Sequence, residues 1–213
     1  FTQKVTTVYP NPTAAFSTSN ACVNATATFT NASTITNLDF YLWNFGDGNS
    51  NATSGNATHA YTLAGTFPVD LIAVSMEGCR DTATSSITIN PLPMVSITPS
   101  GSIVFCSGSN VMLDAGSGLT SYLWSNSSNA QSISVSASGN YSVTATDANG
   151  CSNMASIIVT VNPLPMVSIT ASDTVLHTGS SMILIANGAS SYSWSTGSYS
   201  KNITITESGT YKL

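Results

Sequence analysis

Charge is the first thing this sequence lacks: only 6% of its 213 residues are Asp, Glu, Lys or Arg, against roughly 25% in ordinary globular chains. Nine acids face four bases, for a formal net charge of −5. Three lysines and one arginine cannot build the basic stripe with which duplex binders release counterions, so nucleic acid is excluded as a partner. Long apolar runs are missing too. None approaches the roughly 18 residues of a membrane span, and no basic segment followed by an apolar one opens the sequence. Helical periodicity is absent, since no window carries apolar residues at i, i+3, i+4 and i+7. Catalytic raw material is equally scarce. Glu77 and Glu207 are the only glutamates, which leaves no glycosidase pair, and no G-x-S-x-G elbow precedes a helix. The sequence therefore reads as non-enzymatic.

What remains is 42% hydrophobic, too much for disorder. A core exists, and Ser, Thr, Asn and Gly must solvate its exterior. Thr also suits a pleated strand. Segments rich in β-branched residues, 25–30, 67–74, 85–89, 132–136, 141–146, 156–161 and 202–206, are separated by Gly, Asn, Ser and Pro at intervals of about 8–12 residues. They predict an all-β fold of small sandwiches with no significant helix.

An internal repeat organises these strands. NPLPMVSIT occurs at 90–98 and again at 162–170. SYLWS (121–125) is echoed by SYSWS (191–195), and GNYSV (139–143) by GTYKL (209–213). The expected units are 13–90, 91–162 and an incomplete 163–213 that lacks its last strand. NPLP forms a stiff extended linker, because proline fixes φ and removes a donor. Residues 1–12 look like the final strand and linker of a preceding unit. An unpaired edge in the third unit leaves two explanations: an excerpt of a longer repeat chain, or head-to-tail strand donation between copies.

WNFGDGNS (43–50) is the most chemically suggestive stretch. Trp43 and Phe45 share one strand face and should bury large aromatic area, after which Gly46-Asp47-Gly48 permits a left-handed turn. A phosphate loop would need a helix behind it, and none follows. Calcium stays open: Asp47, Asn49 and Asn51 offer an alternating oxygen trio, without the bidentate Glu of an EF-hand. No other cofactor is expected. His59, in THAY, is expected to pack or hydrogen-bond, and His177 aligns with Cys106.

With WNFGDG, THAYTLAGTFPVDLIAV (58–74) and GCRDTATSSITI (78–89) in view, residues 13–90 resemble the PKD domains common in secreted bacterial proteins. The units at 91–162 and 163–213 look like the bacterial Ig-like repeats that accompany PKD domains in giant surface adhesins of gliding and biofilm-forming Bacteroidota. The resemblance implies an extracellular structural segment of an adhesin stalk or filament, without activity of its own. Its partners would be flanking repeats or neighbouring copies. The alternative is a carbohydrate-binding or spacer module of a secreted hydrolase, gripping polysaccharide with exposed Tyr41, Tyr122, Tyr192 and Tyr199. Asp81-Thr82-Ala83 and Asp173-Thr174-Val175 look like Bacteroidota O-glycosylation acceptors, at Thr82 and Thr174.

The four cysteines, Cys22, Cys79, Cys106 and Cys151, show no CxxC zinc spacing and favour disulfides in an exported protein. Each successive pair brackets a tryptophan (Cys22…Trp43…Cys79 and Cys106…Trp124…Cys151), superficially like the immunoglobulin order. The expectation is one disulfide within each unit, both cysteines of a pair near one pole. Free buried thiols are the other possibility.

Overall fold

The structure, a computed structural model, describes residues 8–213. The strand expected at the start of the chain falls largely on residues 1–7, outside the described residues. Among the described residues there is no helix, and eighteen strands follow one another. The first repeat holds β1 (Phe16–Thr18), β2 (Ala21–Cys22), β3 (Thr26–Asn31), β4 (Leu38–Asn44), β5 (Ser50–Thr53), β6 (Ala57–Ala60), β7 (Gly65–Ser75) and β8 (Arg80–Asn90). The second holds β9 (Thr98–Pro99), β10 (Val104–Cys106), β11 (Val111–Asp114), β12 (Ser121–Trp124), β13 (Ser132–Val135), β14 (Gly139–Thr146) and β15 (Ser152–Asn162). The third holds β16 (Ser168–Ala171), β17 (Met182–Asn187) and β18 (Asn202–Ile205).

The first repeat is a two-layer sandwich of a five-stranded sheet, β2-β8-β7-β4-β5, on a three-stranded sheet, β1-β3-β6. Period-two patterning sets its faces. Along β7, Val69, Leu71 and Ala73 point inward, and along β8, Ile87 and Ile89 do. Phe29, Trp43, Phe45 and Tyr61 fill the space between the layers. Pro68 sits in a central strand, where its missing N–H would break a ladder. It is tolerated because the β4 pairing with β7 has already ended at Asn44↔Asp70.

The second repeat repeats the plan with a four-stranded sheet, β10-β15-β14-β12, and a three-stranded one, β13-β11-β9. Val111, Leu113, Trp124, Ile133, Val135 and Val143 are buried. In the third repeat one sheet forms, β16-β17-β18, over Met182, Leu184, Ala186, Trp194 and Ile203. Its counterparts of β12 and β14 are not paired as strands, though Ser195 N–H still donates to Lys212 O at 2.9 Å. In the second repeat β14 is held on both sides, by β12 and β15, and residues 163–213 contain no counterpart of β15.

By internal packing the chain divides into two compact units. One runs up to Gly101 and adds Val111–Val135 and Gly139–Ile158; the other comprises Ser102–Asn110, Ser136–Ser138 and Val159–Leu213.

Candidate functional site

Trp43 anchors the Gly-Asp-Gly turn. Its ring is fully buried, with Phe16 edge-on at 5.2 Å and Phe29 tilted at 5.7 Å between centroids. Its Nε1–H donates to Gly55 O at 3.2 Å. Two residues on, Phe45 stacks on the His59 imidazole at 4.3 Å. His59 in turn meets the edge of Tyr61 at 4.6 Å, and the Tyr61 hydroxyl donates back to Phe45 O at 3.0 Å.

The chain then reverses through Gly46 (φ 76°) and Gly48 (φ 93°), both in the left-handed region. Gly46 is required twice over, because a Cβ there would also collide with the Pro68 carbonyl oxygen. Between the glycines, Asp47 closes the turn. Its Oδ1 accepts from Asn49 N at 3.0 Å and its Oδ2 from Asn49 Nδ2 at 3.1 Å. The same Oδ2 lies 2.7 Å from His59 Nε2, with both side chains 16% exposed. Because Asp47 follows a strand of the larger sheet and His59 lies on β6 of the smaller, this pair clamps the two layers together at one end.

The electrostatics fit that arrangement. Partial burial pushes the Asp47 carboxyl up, but hydrogen bonds from His59 and Asn49 together with the His59 charge outweigh it, holding the group below its ordinary value. Burial, and secondarily the Asp47 charge, push the Tyr61 hydroxyl up to about 12. Asp47 and His59 converge on each other, and no cavity lies among the described residues.

Of the calcium trio, Asp47 and Asn49 come together, while Asn51 stands on β5 opposite Trp43. Asn49 turns its amide donor toward Asp47. No group of three or more His, Cys, Asp or Glu gathers among the described residues. The turn is closed by its own hydrogen bonds.

The expected cysteine pairing is corrected. Cys22 bonds Cys151, with Cα atoms 5.6 Å apart, while Cys79 and Cys106 are free thiols. The register of β8 explains why. Cys22 lies on β2, which runs parallel to the end of β8 with Cys22 opposite Asn90. Cys79 immediately precedes the start of that strand. Eleven residue steps, from Cys79 to Asn90, at about 3.3 Å separate these levels by roughly 36 Å, against a ceiling near 7 Å for a disulfide. The second repeat is built the same way: Cys106 lies opposite Asn162 at the end of β15, and Cys151 precedes its start. The two cysteines of each repeat thus occupy opposite poles, and the bond forms across the linker between repeats. Asn153 reinforces it by donating Nδ2 to Pro93 O at 3.0 Å.

Thr82, on β8, and Thr174 are both exposed. Asp81 accepts from Ala14 N at 2.8 Å, and Asp173 from Thr174 N at 2.6 Å. The tyrosines do not form an exposed set. Tyr41 is buried and Tyr199 is 79% exposed. Tyr122 and Tyr192 are half-buried, donating their hydroxyls at 2.6 Å to Gly116 O and Ala189 O.

Sequence reasoning missed the part played by Tyr61, although the alternation in Ala57-Thr58-His59-Ala60-Tyr61 puts His59 and Tyr61 on one face. It also missed the cross-linker bond, although the Asn at which each NPLP motif begins marks the level of Cys22 and Cys106.

Residues 8–90 match the family model of the PKD domain. Among solved structures, the PKD1 domain of the Vibrio cholerae metalloprotease PrtV is 28% identical, over 38% of this chain and 99% of that one, with a TM-score of 0.35. The PKD1 domain of Vibrio anguillarum Epp is 23% identical over 39% and 99%, with a TM-score of 0.36. A carbohydrate-binding module of the β-sandwich superfamily is 13% identical over 73% and 86%, with a TM-score of 0.39. No curated protein matches the sequence.

Proposed function

Since residues 8–90 carry a PKD domain, we propose that this chain is a load-bearing segment of an extracellular stalk or filament, of the kind found in bacterial surface adhesins. The observation that carries this reading is the Cys22–Cys151 disulfide, which spans 129 positions of sequence. Tension along the backbone enters at Cys22, crosses the sulfurs and leaves through β15. Strands β3 to β14 lie inside the closed loop, so of the two sandwiches only β1, β2 and β15 stand in the path of the load. A covalent bypass of this kind serves a protein that is pulled, and it persists in an oxidising compartment outside the cell.

Other features support the same role. The prolines of NPLP stiffen the linkers, and a surface with little charge keeps its interactions insensitive to salt. The partners in this reading are repeats like its own, flanking or in neighbouring copies. Glycans on exposed Thr82 and Thr174 would solvate the sparsely charged surface.

A polysaccharide-binding module would need aromatic rings laid flat on an accessible face, and the burial of Tyr41 with the internal bonding of Tyr122 and Tyr192 argues against one. Affinity electrophoresis of the oxidised chain in gels containing cellulose-type, chitin-type and mixed-linkage polysaccharides tests the point. Unretarded migration is expected. Retardation that Tyr199→Ala abolishes would favour the binding module instead.

A further inference from the structure

The two free thiols are not isolated cysteines, for each sits where its counterpart in the other repeat is already bonded. Cys106 reproduces the position of Cys22. Both lie on a short strand parallel to the last strand of their repeat, opposite the Asn that opens NPLP. In both cases the next residue donates to that Asn carbonyl, Val23 N to Asn90 O at 3.0 Å and Ser107 N to Asn162 O at 2.8 Å. The Cys carbonyl then accepts from the third residue on, Ala25 N at 3.0 Å and Ser109 N at 3.3 Å.

Cys79 reproduces Cys151 just as closely. Each follows a left-handed glycine, Gly78 at φ 82° and Gly150 at φ 79°. Each accepts at its carbonyl a 2.9 Å bond from the residue four positions back, Ser75 or Asp147. Each also donates its N–H to that residue's side chain, to Ser75 Oγ at 3.2 Å and Asp147 Oδ1 at 2.9 Å. The third repeat keeps the first backbone geometry, with Ser180 N donating to His177 O at 3.0 Å, but has replaced the thiol with imidazole.

We infer that Cys79 and Cys106 are the complementary halves of a second crosslink, with the local geometry of Cys151 and Cys22 at the two cysteines, but joining copies of this chain head to tail and not consecutive repeats across a linker. Each copy carries one free cysteine of each kind, so the contact is heterologous and adds copy after copy unless the rotation closes it into a ring. Cys106 is exposed and Cys79 half-buried. Formation joins the two Sγ atoms. The two protons and two electrons pass to a small-molecule disulfide, which leaves as two thiols. The purpose of the link rests on the load-bearing reading above, whereas its chemistry does not.

The test uses the full chain in a buffer of oxidised and reduced glutathione, with non-reducing gels and peptide mapping. The wild type is expected to give a reducible ladder joined by Cys79–Cys106 peptides, with Cys22–Cys151 intact throughout. Cys79→Ser alone and Cys106→Ser alone should stay monomeric, and a mixture of the two should give dimers and nothing longer. Dimerisation of either variant alone, a Cys79–Cys106 bond inside one copy, or thiols that stay alkylatable throughout would each overturn the inference. None of these results would affect the bypass through Cys22 and Cys151, which is read by a separate measurement.

Discussion

At the scale of single residues, the turn after Trp43 concentrates the backbone and charge requirements of the first repeat. Gly46 combines a left-handed φ with a close approach to Pro68, whereas Gly48, at φ 93°, has open space around it. Gly46→Ala should therefore lower the unfolding free energy by roughly 2–4 kcal/mol, the sum of backbone strain and steric displacement. Gly48→Ala should lower it by only about 1–2 kcal/mol. Denaturant unfolding of the two variants checks the ranking. Asp47, whose carboxyl is held below its ordinary value by His59 and Asn49, stabilises the folded state above its unfolded pKa of about 3.9. That contribution is lost as pH falls through the lower folded value. Asp47→Asn should flatten this acid limb of a stability-versus-pH curve. Tyr61 acts at the other extreme. With its hydroxyl raised from 10.0 to about 12, its contribution is complete below pH 10 and disappears as pH rises through the folded value, and Tyr61→Phe should remove that alkaline limb. The turn itself was legible in the sequence because Gly-Asp-Gly after an aromatic pair has few other conformations. The Asp47–His59 clamp was not, since it depends on which strand of the opposite layer comes to rest twelve residues later.

At the scale of elements, alternation exposed the long strands and hid the short ones. β7 and β8 are visible as Val, Leu, Ile and Thr at period two. β2, β9 and β10 are two or three residues long, too brief for any period to register; β2 and β10 are placed by parallel pairing to a distant strand end, and β9 by antiparallel pairing to β11. The cysteine pairing was misread for that reason: the Cys-Trp-Cys order is a property of sequence, while the level of each sulfur along β8 or β15 is a property of register. A cleavage experiment separates the two pairings cleanly. With a specific protease site inserted after Pro93, the cut oxidised chain should keep its intact mass on a non-reducing gel and fall into two fragments only when reduced. Fragments that part without reductant would mean that the bonds lie within the repeats.

At the scale of the whole molecule, repetition was legible to the letter from NPLPMVSIT, and the all-β architecture from the β-branched segments between turn residues. The linkage of one repeat to the next was not, because a disulfide between modules leaves no pattern in either module alone. The account stands on that linkage as a mechanical device. Single-molecule stretching of the chain from its two ends, with and without reductant, measures it directly. The bond removes 129 positions from the extensible contour, so reduction should add roughly 430–460 Å of extension at about 3.3–3.6 Å per residue. Oxidised molecules should never reach that length. An oxidised chain that unravels to the same contour as the reduced one would contradict the account.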